Sequence, residues 1–203
     1  MDIRWLLSFK MTGWFCGGVI TVLAILSIIS WSLIFQKMTA FRRARRANAR
    51  FRSMSETEIP KEQVGLFAFS SLYLIFHKVN QFPAGNEQGD LEKLEEEIKV
   101  ELNEYFESLN SGLPILGSIT SVAPFLGLLG TVWGIMVIFS RMHMQVAGVS
   151  EMVAPGVAQA LITTIGGLIV AIPAHFFYNY FTMILRSLSN EAENYASRLI
   201  YLK

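Results

Sequence analysis

The sequence predicts an all-α integral membrane protein with three transmembrane helices, helices two and three extending toward the cytoplasm. Three observations lead to this. The runs Trp14–Phe35, Leu113–Ser140 and Pro155–Phe181 contain no Asp, Glu, Lys or Arg, and each reaches the roughly 20 apolar residues that a helix needs to cross a bilayer. The segment between the first two runs has apolar residues at helical spacing, not strand alternation. A dense basic cluster directly follows the first run.

Composition narrows the function classes. With 52% apolar residues in 203, the chain is too hydrophobic for an ordinary soluble domain, yet it keeps a sizeable polar part. A net charge of +1 gives no reason to expect a nucleic-acid partner. The single cysteine, Cys16, excludes an internal disulfide and a cysteine-rich metal cluster. His77, His143 and His175 lack metal-ligand spacing. There is no phosphate loop, nucleophile elbow or HExxH, so neither an enzyme, a cofactor nor a metal site is expected.

Residues 1–12 mix Asp2, Arg4 and Lys10 with Trp5, Leu6, Leu7 and Phe9, the pattern of an amphipathic segment at a membrane surface. Residues 13–36 form the first span. A cleaved signal peptide competes with this reading, but the run exceeds a usual h-region and lacks a small-residue cleavage site. It is read as a retained anchor.

Residues 37–112 are read as a cytoplasmic helical insert. Lys37, Arg42, Arg43, Arg45, Arg46, Arg50 and Arg52 occur with no acid among them. Such a cluster beside a span stays in the cytoplasm, which puts the N-terminus outside. Arg42, Arg43, Arg45 and Arg46 are expected to meet anionic headgroups; RNA binding competes, but the juxtamembrane position speaks against it. Val64, Phe67, Ala68, Ser71, Leu72, Ile75 and Val79 predict an amphipathic helix over Lys61 to Gln81. Phe82 to Asn86 breaks it. Asp90 then caps a second helix, with a stripe of Leu91, Leu94, Ile98, Leu102, Tyr105 and Leu109. Its other face carries Glu92, Glu95, Glu96, Glu97, Glu101, Glu104 and Glu107. These acids are either a cation-collecting vestibule or, more plainly, a solvated face balanced by the upstream arginines.

Residues 113–140 form the second span, entered from the insert with Pro114 marking a boundary or kink. At 1.5 Å per residue the run is about 42 Å long, more than the hydrocarbon core of roughly 30 Å. Gly127, Gly130 and Gly134 share one face and offer a close approach to another helix, the usual way helices associate in lipid. Residues 141–154 are a periplasmic loop. Residues 155–181 are the third span, with Pro155 in its first turn and Pro173 kinking its interior. Gly156, Ala160, Thr164, Gly167, Ala171 and Ala174 make a stripe of small side chains along it. Residues 182–203 form a cytoplasmic tail containing Arg186, Arg198 and Lys203. Thr131 and Thr164 either bond back to their own helices or act as the polar groups at depth.

Two blocks resemble one known family. Ala123-Pro124-Phe125-Leu126-Gly127-Leu128-Leu129-Gly130-Thr131-Val132-Trp133-Gly134-Ile135-Met136 is similar to the second membrane helix of the TolQ/ExbB/MotA proton-channel family. The run from Val153-Ala154-Pro155-Gly156 through Ile172-Pro173-Ala174 to Tyr178-Asn179 resembles its third helix. The likeness is strongest to the TolQ and ExbB branches, weaker over the first span, and slight over the insert.

The resemblance implies a homo-oligomer, a pentamer, in the bacterial inner membrane. It implies a single-span partner of the TolR/ExbD kind that brings a membrane aspartate, and beyond it a TonB- or TolA-like energy transducer. Thr131 and Thr164 match the family's pore threonines. Gln159 stands where the family often carries glutamate, which moves protonation to the partner and leaves open a membrane scaffold without ion flux. His175, placed where these sequences tend to be apolar, is a further candidate for the ion pathway, with an interfacial role as the alternative. A flagellar-type stator is weakened because the MotA branch has four spans.

The topology is directly testable. A reporter tag at Asn86 is expected to read cytoplasm and one at Val149 periplasm; both on one side would remove the three-span arrangement.

Overall fold

Long apolar runs without charge and short runs with one apolar stripe ask for different surroundings, and the chain sorts them into two compact units. The computed structural model describes residues 3–53, 69–81, 88–142 and 149–201. Among these, every regular element is an α-helix: α1 (Ile3–Ser53), α2 (Ser71–Gln81), α3 (Gln88–Asn110), α4 (Leu113–Met142) and α5 (Val149–Tyr201). Three helices are long and apolar enough to cross a membrane, and their spanning parts lie in α1, α4 and α5. One unit comprises Met1–Ile34 and Pro114–Tyr178, the other Phe35–Leu113 and Asn179–Lys203.

The first unit buries many small side chains beside a few large ones such as Leu23, Ile34, Leu116 and Ile119, and exposes many large ones. Cys16, Ala123, Ala160, Thr163 and Ala174 are at most 1% accessible, whereas Phe125, Ile169 and Ile172 are at least 65% accessible. That inversion suits a hydrocarbon solvent, where large apolar groups need no shelter and interfaces form by close approach. Phe15 stacks on Trp133 with centroids 4.4 Å apart, and Trp31 meets Phe177 edge-on at 6.4 Å.

The second unit has the opposite arrangement. Phe41, Phe51, Leu72, Ile75, Leu94, Ile98, Phe181 and Leu188 are buried, drawn from all four helices that enter it. Phe41 stacks on Phe181 at 5.4 Å, and Phe51 meets Tyr73, Phe76 and Tyr195 edge-on. Of the α3 stripe, Leu94, Ile98, Leu102 and Leu109 are buried, but Leu91 is exposed.

Several boundaries depart from the sequence reading for local reasons. The helix expected from Lys61 begins at Ser71 in the described residues, because Ser70 caps it: its Oγ accepts from Tyr73 N–H at 3.2 Å and its carbonyl from Leu74 N–H. Residues 61–68 and the breaker at 82–86 lie outside the described residues. Asp90 sits inside the first turn of α3 instead of capping it, where its carboxylate still favours the helix N-terminus. The break before α4 falls at Ser111–Gly112, where Gly112 has φ 81°, a conformation open to glycine. Pro155 lies within α5 instead of in its first turn, because the helix already starts at Val149.

Two polar clusters hold the second unit together. The Lys37 ammonium, 5% accessible, donates to Leu109 O at 2.9 Å and Ser108 O at 3.4 Å. It thereby caps the carbonyl end of α3. Asn48, 3% accessible, accepts from Ser70 Oγ at 2.9 Å and donates to Ser71 Oγ at 3.2 Å and Glu191 Oε2 at 3.4 Å. It ties α1 to the start of α2 and to α5. Asn48→Ala should lower stability by about 1–3 kcal/mol by stripping partners from these groups. Thermal unfolding of the purified protein checks this, and an unchanged midpoint would mean that water replaces the asparagine without loss.

Candidate functional site

In the first unit the backbones of α4 and α5 approach closely, and glycine makes this possible. A Cβ added at Gly127 would stand 2.8 Å from Thr163 O and 2.9 Å from Thr164 Cα. One at Gly134 would lie 2.7 Å from Ala160 Cβ, and one at Gly167 would lie 3.2 Å from Gly127 Cα. At Gly130 the space is taken by the Thr163 side chain, whose Cβ would be 2.7 Å away. Gly156 differs, since its nearest neighbour is the flexible end of Ile138 at 2.9 Å. The helix that approaches the glycine ridge is therefore α5 of the same chain.

Hydroxyls stitch this seam. Thr163 is fully buried, and its Oγ1 lies 2.7 Å from Ala160 O on its own helix and 3.1 Å from Gly127 O across the seam. Thr164 is half-buried and donates to Gly127 O at 3.1 Å. Thr131, 7% accessible, donates back to Leu128 O at 2.7 Å. Of the two threonines singled out from the sequence, one bonds within its helix and the other between helices. The Cys16 thiol of α1 also reaches this region, 3.9 Å from Gly130 O.

The structure brings Thr164, Gly127, Gly130, Gly134, Ala160 and Gly167 to this one seam, while Thr131 is buried on α4 and bonds within its own helix. Gln159 lies on α5, with its side chain outside the described set. His175 is on the exposed side of α5, about 16 Å along the axis from Thr164 at 1.5 Å per residue, and is not gathered with the threonines. Thr163 escaped the sequence reading. The expected stripe passes through Thr164, which is half-buried, whereas the buried line runs Ala160, Thr163, Gly167, Val170, Ala171, Ala174 and so shares Ala160, Gly167, Ala171 and Ala174 with it. The spacing i+3, i+7 from Ala160 was the available signal.

In the second unit Arg42, Arg43, Arg45 and Arg46 all lie on the exposed side of α1. Lys37 leaves that basic group by being buried, and Arg52 pairs with Glu191 at 2.7 Å. Three acids of α3 have lysine partners rather than the upstream arginines: Lys78 meets Glu97 at 3.1 Å and Glu101 at 3.8 Å, and Lys99 meets Glu95 at 2.6 Å. The hydrogen bond to Glu97 pushes the Lys78 ammonium above its ordinary pKa. Among the described residues no group of three His, Cys, Asp or Glu gathers as metal ligands.

Fold and seam together define a multi-pass helical membrane protein in which two spans close on each other through glycines and hydroxyls. Residues 67–194 match the model of the MotA/TolQ/ExbB proton channel family. The chain is 30% identical to the Tol-Pal system protein TolQ of Haemophilus influenzae, over 87% of this chain and 83% of that one. It is 33% identical to TolQ of Pseudomonas aeruginosa over 81% and 77%, respectively. It is also 30% identical to the Biopolymer transport protein ExbB of Pseudomonas putida, over 89% of this chain and 57% of the relative. The chain belongs to the MotA/TolQ/ExbB proton channel family.

The seam carries its own prediction. Gly130→Leu should separate α4 from α5 within one chain, at a cost on the order of 3 kcal/mol from overpacking. Gly17→Leu is the control, because a Cβ there meets nothing within 4 Å. Protease sensitivity of the detergent-solubilised variants checks this; equal resistance of the two would show that the seam yields without loss.

Proposed function

We propose that this chain is the proton-channel stator subunit of an ion-driven motor in the bacterial inner membrane. Several copies, five by the family resemblance, surround a pair of single-span partners of the TolR/ExbD kind that carry a membrane carboxyl group. The N-terminus is periplasmic and the C-terminus cytoplasmic. The exposed Arg42, Arg43, Arg45 and Arg46 lie against the headgroups of the inner leaflet. Thr131 and Thr164 border the ion pathway, Gln159 and His175 are its further candidates, and the partner's carboxyl carries the proton past them.

Moving one charge through 100 mV releases about 2.3 kcal/mol, enough to bias a helix between two seatings. A TonB- or TolA-like transducer would pass the motion on to work in the periplasm or at the outer membrane. The observation that carries this reading is the seam: threonine hydroxyls held at fixed positions in an otherwise apolar bundle, in a chain of this family. Gln159 favours a second reading, a scaffold without ion flux, because it removes the one carboxyl that the family often places on this helix.

Thr131→Val and Thr164→Val keep shape and delete a hydroxyl, so assembly should survive while coupled activity falls at least about tenfold, the worth of one hydrogen bond to a buried group. The assay is energy-dependent activity at matched expression, with the partner co-expressed. Wild-type rates in both variants would sink the channel reading and leave the scaffold.

A further inference from the structure

Two faces of the second unit carry opposite charge and find no counter-ion on their own chain. On α1, Arg42, Arg46 and Arg50 follow one another at steps of four and so form one row, opposite the buried Phe41, Ala44, Ala47 and Phe51. On α3, Glu92, Glu96, Val100 and Glu104 form a second row at the same steps, turned away from the buried Leu94, Ile98 and Leu102. Every member of both rows is exposed. Among the described residues, neither these arginines nor these glutamates enter an ion pair.

The rows also lie at matching heights. α1 and α3 run antiparallel: Lys37 meets Leu109 near the end of α3, whereas Phe51 meets Tyr195, which packs on the cluster holding Leu94, Ile98 and Leu102. Equal steps from the Lys37–Leu109 contact set Arg42 level with Glu104, Arg46 with Val100 and Arg50 with Glu96. Because each row faces away from its own core, the two meet only through another molecule.

Lipid alone does not cover the arginine row. At 1.5 Å per residue Arg50 lies about 22 Å beyond Phe35, past a headgroup layer that adds roughly 5–8 Å to the hydrocarbon on each side. Arg42 and Arg46 each have five donors, enough for a headgroup phosphate from above and a carboxylate from the side. A second copy of this chain brings the matching charge at the matching height. Copies in one membrane are related by rotation about its normal, which changes no residue's height, and a ring of head-to-tail contacts pairs every row.

We propose that the arginine row of α1 docks on the glutamate row of α3 in an adjacent copy, Arg50 against Glu96 and Arg42 against Glu104, with the stem of Arg46 over Val100. This rests on the reading of the chain as one of several copies given above, and names the surfaces through which they meet. Exposed ion pairs each contribute little, so the rows fix which face meets which, and in what register, more than they fix affinity.

The test uses the full-length chain in membranes, with Cys16→Ser as background. Chains with Arg50→Cys are co-expressed with differently tagged chains with Glu96→Cys and treated with a bis-maleimide of about 10 Å, long enough to span an Arg–Glu pair but too long for a disulfide. The mixed crosslink is expected to exceed either like-with-like crosslink at least fivefold, since identical faces do not meet in a head-to-tail contact. Like-with-like crosslinks of equal yield overturn the docking. The second arm is native mass on dilution in mild detergent. Arg50→Glu or Glu96→Arg alone should weaken assembly about fivefold, and the two together should restore it. A combined variant no better than the single ones overturns the charge pairing. So does a loss in Arg50→Glu that follows the phosphatidylglycerol content of the membrane and ignores Glu96→Arg, which assigns the row to lipid. A wild-type chain that is monomeric by native mass and gives no crosslink removes the multi-copy reading itself.

Discussion

The absence of side chains at Gly127, Gly130, Gly134 and Gly167 sets the distance between α4 and α5, and the reach of Thr163 and Thr164 across the seam follows from that distance. In lipid no hydrophobic force draws two helices together, since the acyl chains are as apolar as leucine. What remains is van der Waals contact and hydrogen bonds, and both need backbones nearly touching. Thr163 O and Thr164 Cα stand where a Gly127 side chain would be. Only at that separation does a threonine on one helix reach a carbonyl on the other.

The two units are built for two solvents, and α1 and α5 each serve both. Along α1, the exposed Trp14, Ile28 and Phe35 give way to buried Phe41, Ala44, Ala47 and Phe51 with exposed arginines between them. Along α5, small buried residues as far as Ala174 give way to Phe181, Ile184 and Leu188. A helix is indifferent to such a change because its backbone bonds are satisfied internally in either medium. The polar clusters around Lys37 and Asn48 belong to the second unit, where large side chains rather than glycines make the contacts. They give that unit a fixed register which apolar packing alone specifies less sharply.

The spans, the glycine ridge and the basic face were legible because each depends on composition or on a period repeated many times. What was not legible turned on single residues. One step along a helix turns a side chain by about 100°, so a spacing of four from Ala160 points to Thr164 at the edge of the buried line, while Thr163 lies on it. Ser70 looked like any serine in an amphipathic pattern until its neighbours' N–H groups needed an acceptor. Lys37 read as one more juxtamembrane cation, because nothing in the sequence says that the carbonyls of Ser108 and Leu109 end beside it. Long-range partners of buried polar groups are set by tertiary structure, and no local period encodes them.

The runs Trp14–Phe35, Leu113–Ser140 and Gly156–Phe181 contain no Asp or Glu. A carboxylate fixed permanently at depth would be costly to ionise and would tend to hold its proton. A chain that places no carboxyl in its spans avoids that cost at rest. On the proposed reading, charge enters the bundle only when the partner's carboxyl is opposite the seam. On that reading the protonation equilibrium is set by how the partner helix is seated, which links the loss of a proton to displacement of the helix that carries it.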